Sequence, residues 1–235
     1  MDQLERLSLY LISQKCADNY FIKHNFLDVD CGKELVSKCL GYLIVVASCV
    51  VKFPQILKIL SAGNAQGVSF FSQFLDIVAC TANFSYCFIA EYPFSAYGDA
   101  FFNILQTLAI AHLCIHYANK SMLALLFSVL CLLTVAFLCS GAVPLSTLKI
   151  VNGLNIFVVI TARGWQIVTN LRNQSTGQLS LITMFLLFAG CVARVFTSIQ
   201  ETNDPQLVFS YSLGAALNGL ICLQIGWYSR RVKTD

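Results

Sequence analysis

Apolar side chains follow one another almost without interruption from Leu35 to Trp227, separated only by short polar stretches. Dividing the chain at those stretches gives segments near 39–57, 68–90, 99–117, 121–140, 145–168, 178–199 and 207–228. Each approaches the roughly 20 apolar residues that a helix needs to cross a hydrocarbon core about 30 Å thick. The separators are turn-forming: Ser61-Ala62-Gly63-Asn64, Glu91-Tyr92-Pro93, Asn119-Lys120, Ser140-Gly141 with Pro144, Arg172-Asn173-Gln174 and Asn203-Asp204-Pro205. The pattern predicts an all-α polytopic membrane protein with seven transmembrane helices. Ahead of them, Leu4, Leu7 and Leu11 are spaced for one face of a short interfacial helix. That stretch does not read as a secretory signal, because Asp2 and Glu5 stand where a basic region belongs.

Composition narrows the class further. The 235 residues are 57% hydrophobic and 11% charged, against roughly 45–50% apolar and about 25% charged in an ordinary soluble domain. Fifteen Lys and Arg with twelve Asp and Glu are too few to cover a soluble globule of this size. Seven spans also leave no room for a separate catalytic domain. The net charge of +3 reports topology and implies no nucleic-acid partner. Lys58, Lys120 and Arg172 fall in the first, third and fifth loops, and Arg230, Arg231 and Lys233 in the tail. The second and sixth loops hold Glu91, Glu201 and Asp204, and residues 1–34 carry four basic and six acidic side chains. Because cytoplasmic loops collect Lys and Arg, the N-terminus is expected to be lumenal or extracellular and the C-terminus cytosolic. Of eleven cysteines, nine lie in spans or at their ends, where a thiol packs as a small apolar group. Only Cys16 and Cys31 lie in the outer segment, where a disulfide and two free thiols are both open. No paired Cys-x-x-Cys zinc pattern occurs.

Sliding the chain on itself by 111 residues lays Lys52-Phe53-Pro54-Gln55 over Arg163-Gly164-Trp165-Gln166, Ser69 over Ser180 and Phe74-Leu75 over Phe185-Leu186. Each copy covers three spans, and the intervening fourth keeps both copies in one orientation. This predicts two parallel three-helix repeats joined by a linker helix, with a site expected at the repeat interface. The chain then divides into 1–34 as a lumenal segment, 35–117 and 145–228 as the repeats, 118–144 as the linker helix and 229–235 as a cytosolic tail.

Pro54-Gln55 at the cytosolic end of the first span, followed by Ala65-Gln66-Gly67-Val68-Ser69, resembles the PQ-loop membrane proteins, whose fold is similar to that of the SWEET sugar transporters. The likeness runs from about Lys33 to Trp227. It extends to Thr176-Gly177-Gln178-Leu179-Ser180, Phe185-Leu186-Leu187-Phe188, Ala193-Arg194 and Phe196-Thr197-Ser198-Ile199-Gln200-Glu201, with Tyr92-Pro93-Phe94-Ser95 and Leu105-Gln106-Thr107. These stretches resemble family members of the endoplasmic reticulum that make dolichol-phosphate-linked mannose and glucose usable by lumenal glycosyltransferases. The resemblance implies an endoplasmic-reticulum membrane protein with such a lipid-linked sugar as its partner, alongside membrane lipids and glycosyltransferases. It serves N-glycan and GPI-anchor precursor assembly with no enzyme activity and no cofactor of its own. One departure stands out: Trp165-Gln166 replaces the Pro-Gln that many members carry in the second copy. At the tail, Arg231 and Lys233 resemble a dibasic retrieval signal.

Four ionisable residues fall inside spans: Lys52, Asp76, Arg163 and Arg194. A charge at a span centre costs about 2.5–3.5 kcal/mol on the insertion scale, so each needs a reason. Lys52 and Arg163 lie roughly 8 Å from the cytosolic ends and can snorkel to the headgroups. Asp76, about 12 Å down, is too short to escape and is expected to pair with Lys52 or to accept a proton. Arg194, near the lumenal end, either snorkels or holds a phosphate. Three cations against one anion leave a cationic interior suited to a phosphate. Pro54 is expected to kink the first span, with Gln55 and Gln166 as gating or packing amides. Among span amides (Asn83, Asn103, Gln106, Asn152, Asn155, Asn218 and Gln224), Asn218 coincides with Thr107 under the shift. These two are the first candidates for sugar hydroxyls, with Lys52, Arg163 and Arg194 as further substrate contacts.

His112 and His116 share a helix face as zinc ligands can, but no third ligand is in register, so packing is expected and no metal. Asp28-Val29-Asp30 reads as a solvated acidic loop rather than a metal site. Gly63-Asn64-Ala65-Gln66-Gly67 lacks the lysine of a nucleotide loop, and no nucleophile or acid–base constellation occurs, so ATP-driven pumping and catalysis are set aside. Three functions stay open: transport or scrambling of a lipid-linked sugar, non-transporting presentation of it to transferases, and transport of another small solute.

Overall fold

The computed structural model describes residues 13–176 and 181–231, and among these every regular element is a helix. In chain order they are α1 (Gln14–Phe21), α2 (Val29–Ser48), α3 (Phe53–Ala62), α4 (Phe70–Ile89), α5 (Phe94–His116), α6 (Ser121–Cys139), α7 (Leu145–Asn173), α8 (Leu181–Glu201) and α9 (Pro205–Arg231). The amphipathic stretch at Leu4–Leu11 and the dibasic tail beyond Arg231 lie outside the described residues. Six segments are long and apolar enough to cross a membrane: Val29–Ala62, Phe94–His116, Ser121–Cys139, Leu145–Asn173, Met184–Glu201 and Pro205–Tyr228. Helix α4 is a further helix beside these six, where the sequence predicts the second of seven spans. Its 20 residues span about 30 Å, but Gln73, Asp76 and Asn83 dilute its apolar character. The polytopic helical class expected from the apolar pattern is what the chain adopts.

Packing divides the chain into two compact units, one of residues 42–152 and the other of 1–41 with 153–235, so the division falls inside α2 and α7. In the 42–152 unit, α5 packs on α4, α6 and α3. Its core holds Ile77, Leu108 and Ala111 against Phe127 and Cys131, and Phe84, Ala100 and Ile104 against Tyr97 and Val135. In the other unit α8 packs along α9, with Met184, Ile221 and Ile225 closing on Ile167.

The first span departs from its expected form. Instead of one helix kinked at Pro54, α2 ends at Ser48, four residues form turns, and Pro54 sits in the first turn of a new helix, α3. Proline is favoured there because a first-turn N–H has no helical acceptor in any case. Gly63, at φ 61°, ends α3 in the left-handed conformation that glycine adopts without strain.

At the other end, α2 begins at Val29, about ten residues before the apolar run. Asp28, just ahead of it, accepts hydrogen bonds from the backbone N–H groups of Asp30 (3.0 Å) and Cys31 (3.2 Å), and from Asn19 Nδ2 (2.6 Å). A carboxylate at a helix N-terminus satisfies donors the helix itself leaves open. Asp28 and Asp30 thus serve α2 and its surface, Asp30 pairing with Lys33 at 3.4 Å. The Cys31 amide first, then those of Asp30 and Asn19, holds the Asp28 carboxyl below its ordinary value. A depressed folded value means the cap contributes fully above the unfolded pKa of about 3.9 and is lost as pH falls through the folded value. Protection of the amides at residues 28–32, taken as their exchange rate relative to an unstructured peptide at the same pH, will therefore fall on acidification below about pH 4. In Asp28→Asn the same amides will exchange faster at neutral pH and show no such step, as read by hydrogen–deuterium exchange mass spectrometry.

A candidate anion site and its neutralised counterpart

In the 42–152 unit the break after Ser48 exposes backbone groups that a continuous helix would satisfy. Gln106 of α5 supplies the partners. Its Oε1 accepts from the Lys52 N–H at 2.9 Å and its Nε2 donates to the Ser48 carbonyl at 2.6 Å, so one amide spans both sides of the break. Gln106 is only 8% exposed. The sequence had placed it among seven span amides, with nothing to show that it faces the break.

The Lys52 side chain turns away from the headgroups. Its Nζ pairs with Asp76 Oδ2 of α4 and donates to Thr107 Oγ1 of α5 at 2.5 Å, while the Thr107 hydroxyl lies 3.1 Å from Asp76 Oδ2. Cys80 Sγ lies 3.8 Å from Asp76 Oδ1. The snorkelling alternative for Lys52 is thereby replaced by the ion pair. Thr107 is fully buried, and its hydroxyl serves the Lys52–Asp76 pair rather than standing open to a sugar. Pro54 and Gln55 are exposed at the start of α3.

In the unit containing 153–231, the equivalent positions are arranged differently. Arg163 lies about two-thirds of the way along α7, half-buried, within electrostatic reach of Cys191 on α8. Asn218 of α9, 4% exposed, donates from Nδ2 toward Cys191 Sγ at 3.6 Å, and its Oδ1 is buried with no hydrogen-bond partner among the described residues. Cys191 thus bonds Asn218 and lies within electrostatic reach of Arg163. The 111-residue shift that pairs Lys52 with Arg163 and Thr107 with Asn218 also pairs Cys80 with Cys191 and Asp76 with Leu187. One copy thus holds cation, acid, thiol and hydroxyl; the other holds cation, leucine, thiol and amide. Arg163 has no ion-pair partner among the described residues. This mismatch stands in the sequence as one broken correspondence among kept ones.

Arg194 is 4% exposed, so it does not snorkel. About two turns further along α8, Glu201 accepts from Ser37 Oγ at 2.8 Å and pairs with Lys38 at 3.6 Å, its own side chain 3% exposed. That pair went unforeseen because residues 29–38 are too polar to read as the start of a spanning helix. Gln166 is half-buried on α7. Nearby, Asn170 Nδ2 donates to Gln224 Oε1 at 2.9 Å and Gln224 Nε2 to the Ile167 carbonyl at 3.0 Å, which commits Gln224 to packing α9 on α7. His112 and His116 each face a serine of the next helix, Ser128 at 2.9 Å and Ser121 at 3.0 Å. No group of three metal-ligating side chains occurs among the described residues. Cys16 and Cys31 are joined in a disulfide, their Cα atoms 5.3 Å apart.

Two stretches of the chain, 36–96 and 149–207, match the PQ loop repeat, together just over half of its length. The chain belongs to the PQ-loop repeat family. The matched stretches carry Lys52 with Asp76 and Arg163 with Cys191, while Thr107 and Asn218 lie beyond them. The family is one of transporter-like membrane proteins, generally without enzyme activity, and no solved structure matches the chain. In this PQ-loop protein the two repeats are alike in sequence framework and unlike in charge.

Proposed function

We propose that this PQ-loop protein binds an anionic lipid-linked sugar, dolichol-phosphate-linked mannose or glucose, and moves it across the endoplasmic reticulum membrane for lumenal glycosyltransferases. The protein acts without catalysing a reaction of its own. The single observation that carries the reading is the charge asymmetry between repeats: Asp76 neutralises Lys52, while Leu187 leaves Arg163 without an acid. An arginine in a membrane-spanning helix needs a compensating anion, and its planar fork matches a phosphate. Asn218 Oδ1 adds a buried acceptor in the same neighbourhood, suited to a sugar hydroxyl. A carrier has physical purpose here. Each hydroxyl taken from water into hydrocarbon without a partner costs roughly 4–8 kcal/mol, so a sugar phosphate does not cross unaided. The resemblance of 176–201 and 92–107 to the mannose-P-dolichol utilization defect 1 protein supports this substrate, and with it an N-terminus in the lumen. An oxidising lumen also suits a Cys16–Cys31 bridge.

The test supplies the missing acid. Leu187→Asp places a carboxylate where the first repeat has Asp76 and will neutralise Arg163 internally. In vesicles holding the purified protein and a short-chain mannosyl phosphoryl polyprenol, the wild type will equilibrate the lipid between leaflets. Leu187→Asp and Arg163→Gln will slow this by about tenfold to 100-fold, the range of a charge-assisted contact of 1.5–3 kcal/mol. Arg163→Lys will retain part of the rate, keeping charge but losing the fork. Binding without leaflet exchange in the wild type would make the protein a presenting factor instead. Unchanged rates in Leu187→Asp, with the protein folded, would remove Arg163 from the substrate site.

A further inference from the structure

Helices α7 and α9 run side by side in the same direction and end at the same face of the membrane. Gln224 fixes their register, accepting from Asn170 and donating to the Ile167 carbonyl. Beside this seam lies a groove of about 400 Å³, with Ile167 and Leu171 of α7 on one side and Leu220, Leu223, Trp227 and Tyr228 of α9 on the other. Gln224 also lines it, but both ends of that amide are already bonded within the seam. An occupant of the groove therefore meets hydrocarbon. Leu171, Leu223 and Trp227 are each at least half exposed, so the groove opens outward, onto lipid. From Leu220 to Tyr228 it follows α9 for about 12 Å, against roughly 15 Å of hydrocarbon in one leaflet, half of a 30 Å core. That length takes one acyl chain of the leaflet it opens into.

At the mouth the chemistry changes. Tryptophan collects at the level of the headgroups, which is where Trp227 stands. Arg172, exposed, follows Leu171 in the last turn of α7, and Arg230 and Arg231 follow Trp227 by one turn, about 5 Å. No Asp or Glu occurs from 164 to 200 or from 205 to 234, so neither these helices nor the adjoining start of α8 supplies an acid. A zwitterionic phospholipid carries its own cation beside the phosphate, whereas an anionic one brings the net charge that three arginines lack. Basic clusters where helices leave a membrane attract such headgroups, with a gain of about fivefold for each Lys or Arg engaged.

We propose that the groove between α7 and α9 holds one acyl chain of an anionic phospholipid whose headgroup meets Arg172, Arg230 and Arg231. The site goes beyond the proposed function and does not rest on it. Arg163 lies nine residues before Arg172 on α7, about 14 Å deeper in the membrane.

The full-length protein in nanodiscs tests this with photoactivatable phosphatidylserine and phosphatidylcholine that carry the same label in mid-chain. Mass spectrometry of the labelled peptides will show residues 167–172 and 220–228 labelled more by phosphatidylserine than by phosphatidylcholine at equal mole fraction. Arg172→Gln will lower that excess about fivefold, and adding Arg230→Gln and Arg231→Gln will abolish it. Leu223→Trp, which fills the groove, will reduce both probes to background; if that variant fails to fold, Leu220→Trp makes the same test. Glycerophosphoserine, the headgroup without its chains, will not compete, and Arg163→Gln will leave the labelling unchanged. Equal labelling by the two probes, or an excess indifferent to the arginine variants, would overturn the proposal and leave only bulk lipid at this surface. Displacement by glycerophosphoserine, or by the mannosyl phosphoryl polyprenol, would overturn it as well, the latter by merging the groove with the path of the carried lipid.

Discussion

Asp76→Ala will lower the thermal stability of the purified protein by about 1.5–3 kcal/mol, the worth of a hydrogen bond to a charged partner. A fully buried pair that loses one member costs about 3–5 kcal/mol. Here the Asp76 side chain is 42% exposed and that of Lys52 21%, which discounts the larger figure. The loss arises from the cation left behind, with Thr107 as its remaining side-chain partner in an apolar setting. Lys52→Met with Asp76→Leu should therefore recover most of the stability, because both charges leave together and apolar groups take their volume. A double-mutant cycle read by thermal melting in nanodiscs isolates the coupling. Additive effects would mean that Lys52 rests among headgroups after all.

The second large effect belongs to the Cys16–Cys31 bridge, which closes a loop with a sequence separation of 15. In the chain-entropy picture a loop of that length contributes about 3 kcal/mol. Around it, Ser13 N–H and Oγ both donate to the Glu34 carboxylate at 2.5 and 2.9 Å, and Tyr20 and Leu35 pack on the bonded cysteines. Those contacts alone give α1 a small interface. Cys16→Ser with Cys31→Ser, or mild reduction, should raise amide exchange in 14–21 by about 100-fold, as 3 kcal/mol implies. Exchange in α4 to α9 should stay unchanged. A matching rise throughout the spanning helices would show that α1 supports the whole fold.

The spanning helices were legible because a bilayer imposes one requirement, about 20 apolar residues, on every crossing segment. Where the constraint weakens, the reading weakened too. Residues 29–38 form almost three turns of α2 with five polar or charged side chains among them, held by Asp28 at the start and by Ser37 and Lys38 on Glu201, and no apolar period announces them. Pro54 marked an irregularity without showing its kind, since proline suits both a kink and a first turn. Lys52 and Asp76 were matched in sign and depth, so their pairing could be anticipated. Gln106 could not, because an amide accepts almost any partner and only the fold brings it to the break. Thr107 and Asn218 coincide under the 111-residue shift; that one serves an ion pair and the other keeps an open acceptor goes with Asp76 against Leu187.

Synthesis order gives the broken first span a further consequence. Lys52 meets its staple at Gln106 across a separation of 54 residues, and Thr107 across 55. At about 5–20 residues per second, that interval is roughly 3–10 s of translation. Throughout it the first span is already made, with a charged amine and an open turn, and the chain that will satisfy them has not left the ribosome. Asp76 emerges sooner, at a separation of 24, and is the earliest of these side chains able to shield the amine. The nascent protein thus passes through a stage in which membrane insertion runs ahead of folding, and the cell's insertion machinery must hold that segment until α5 arrives.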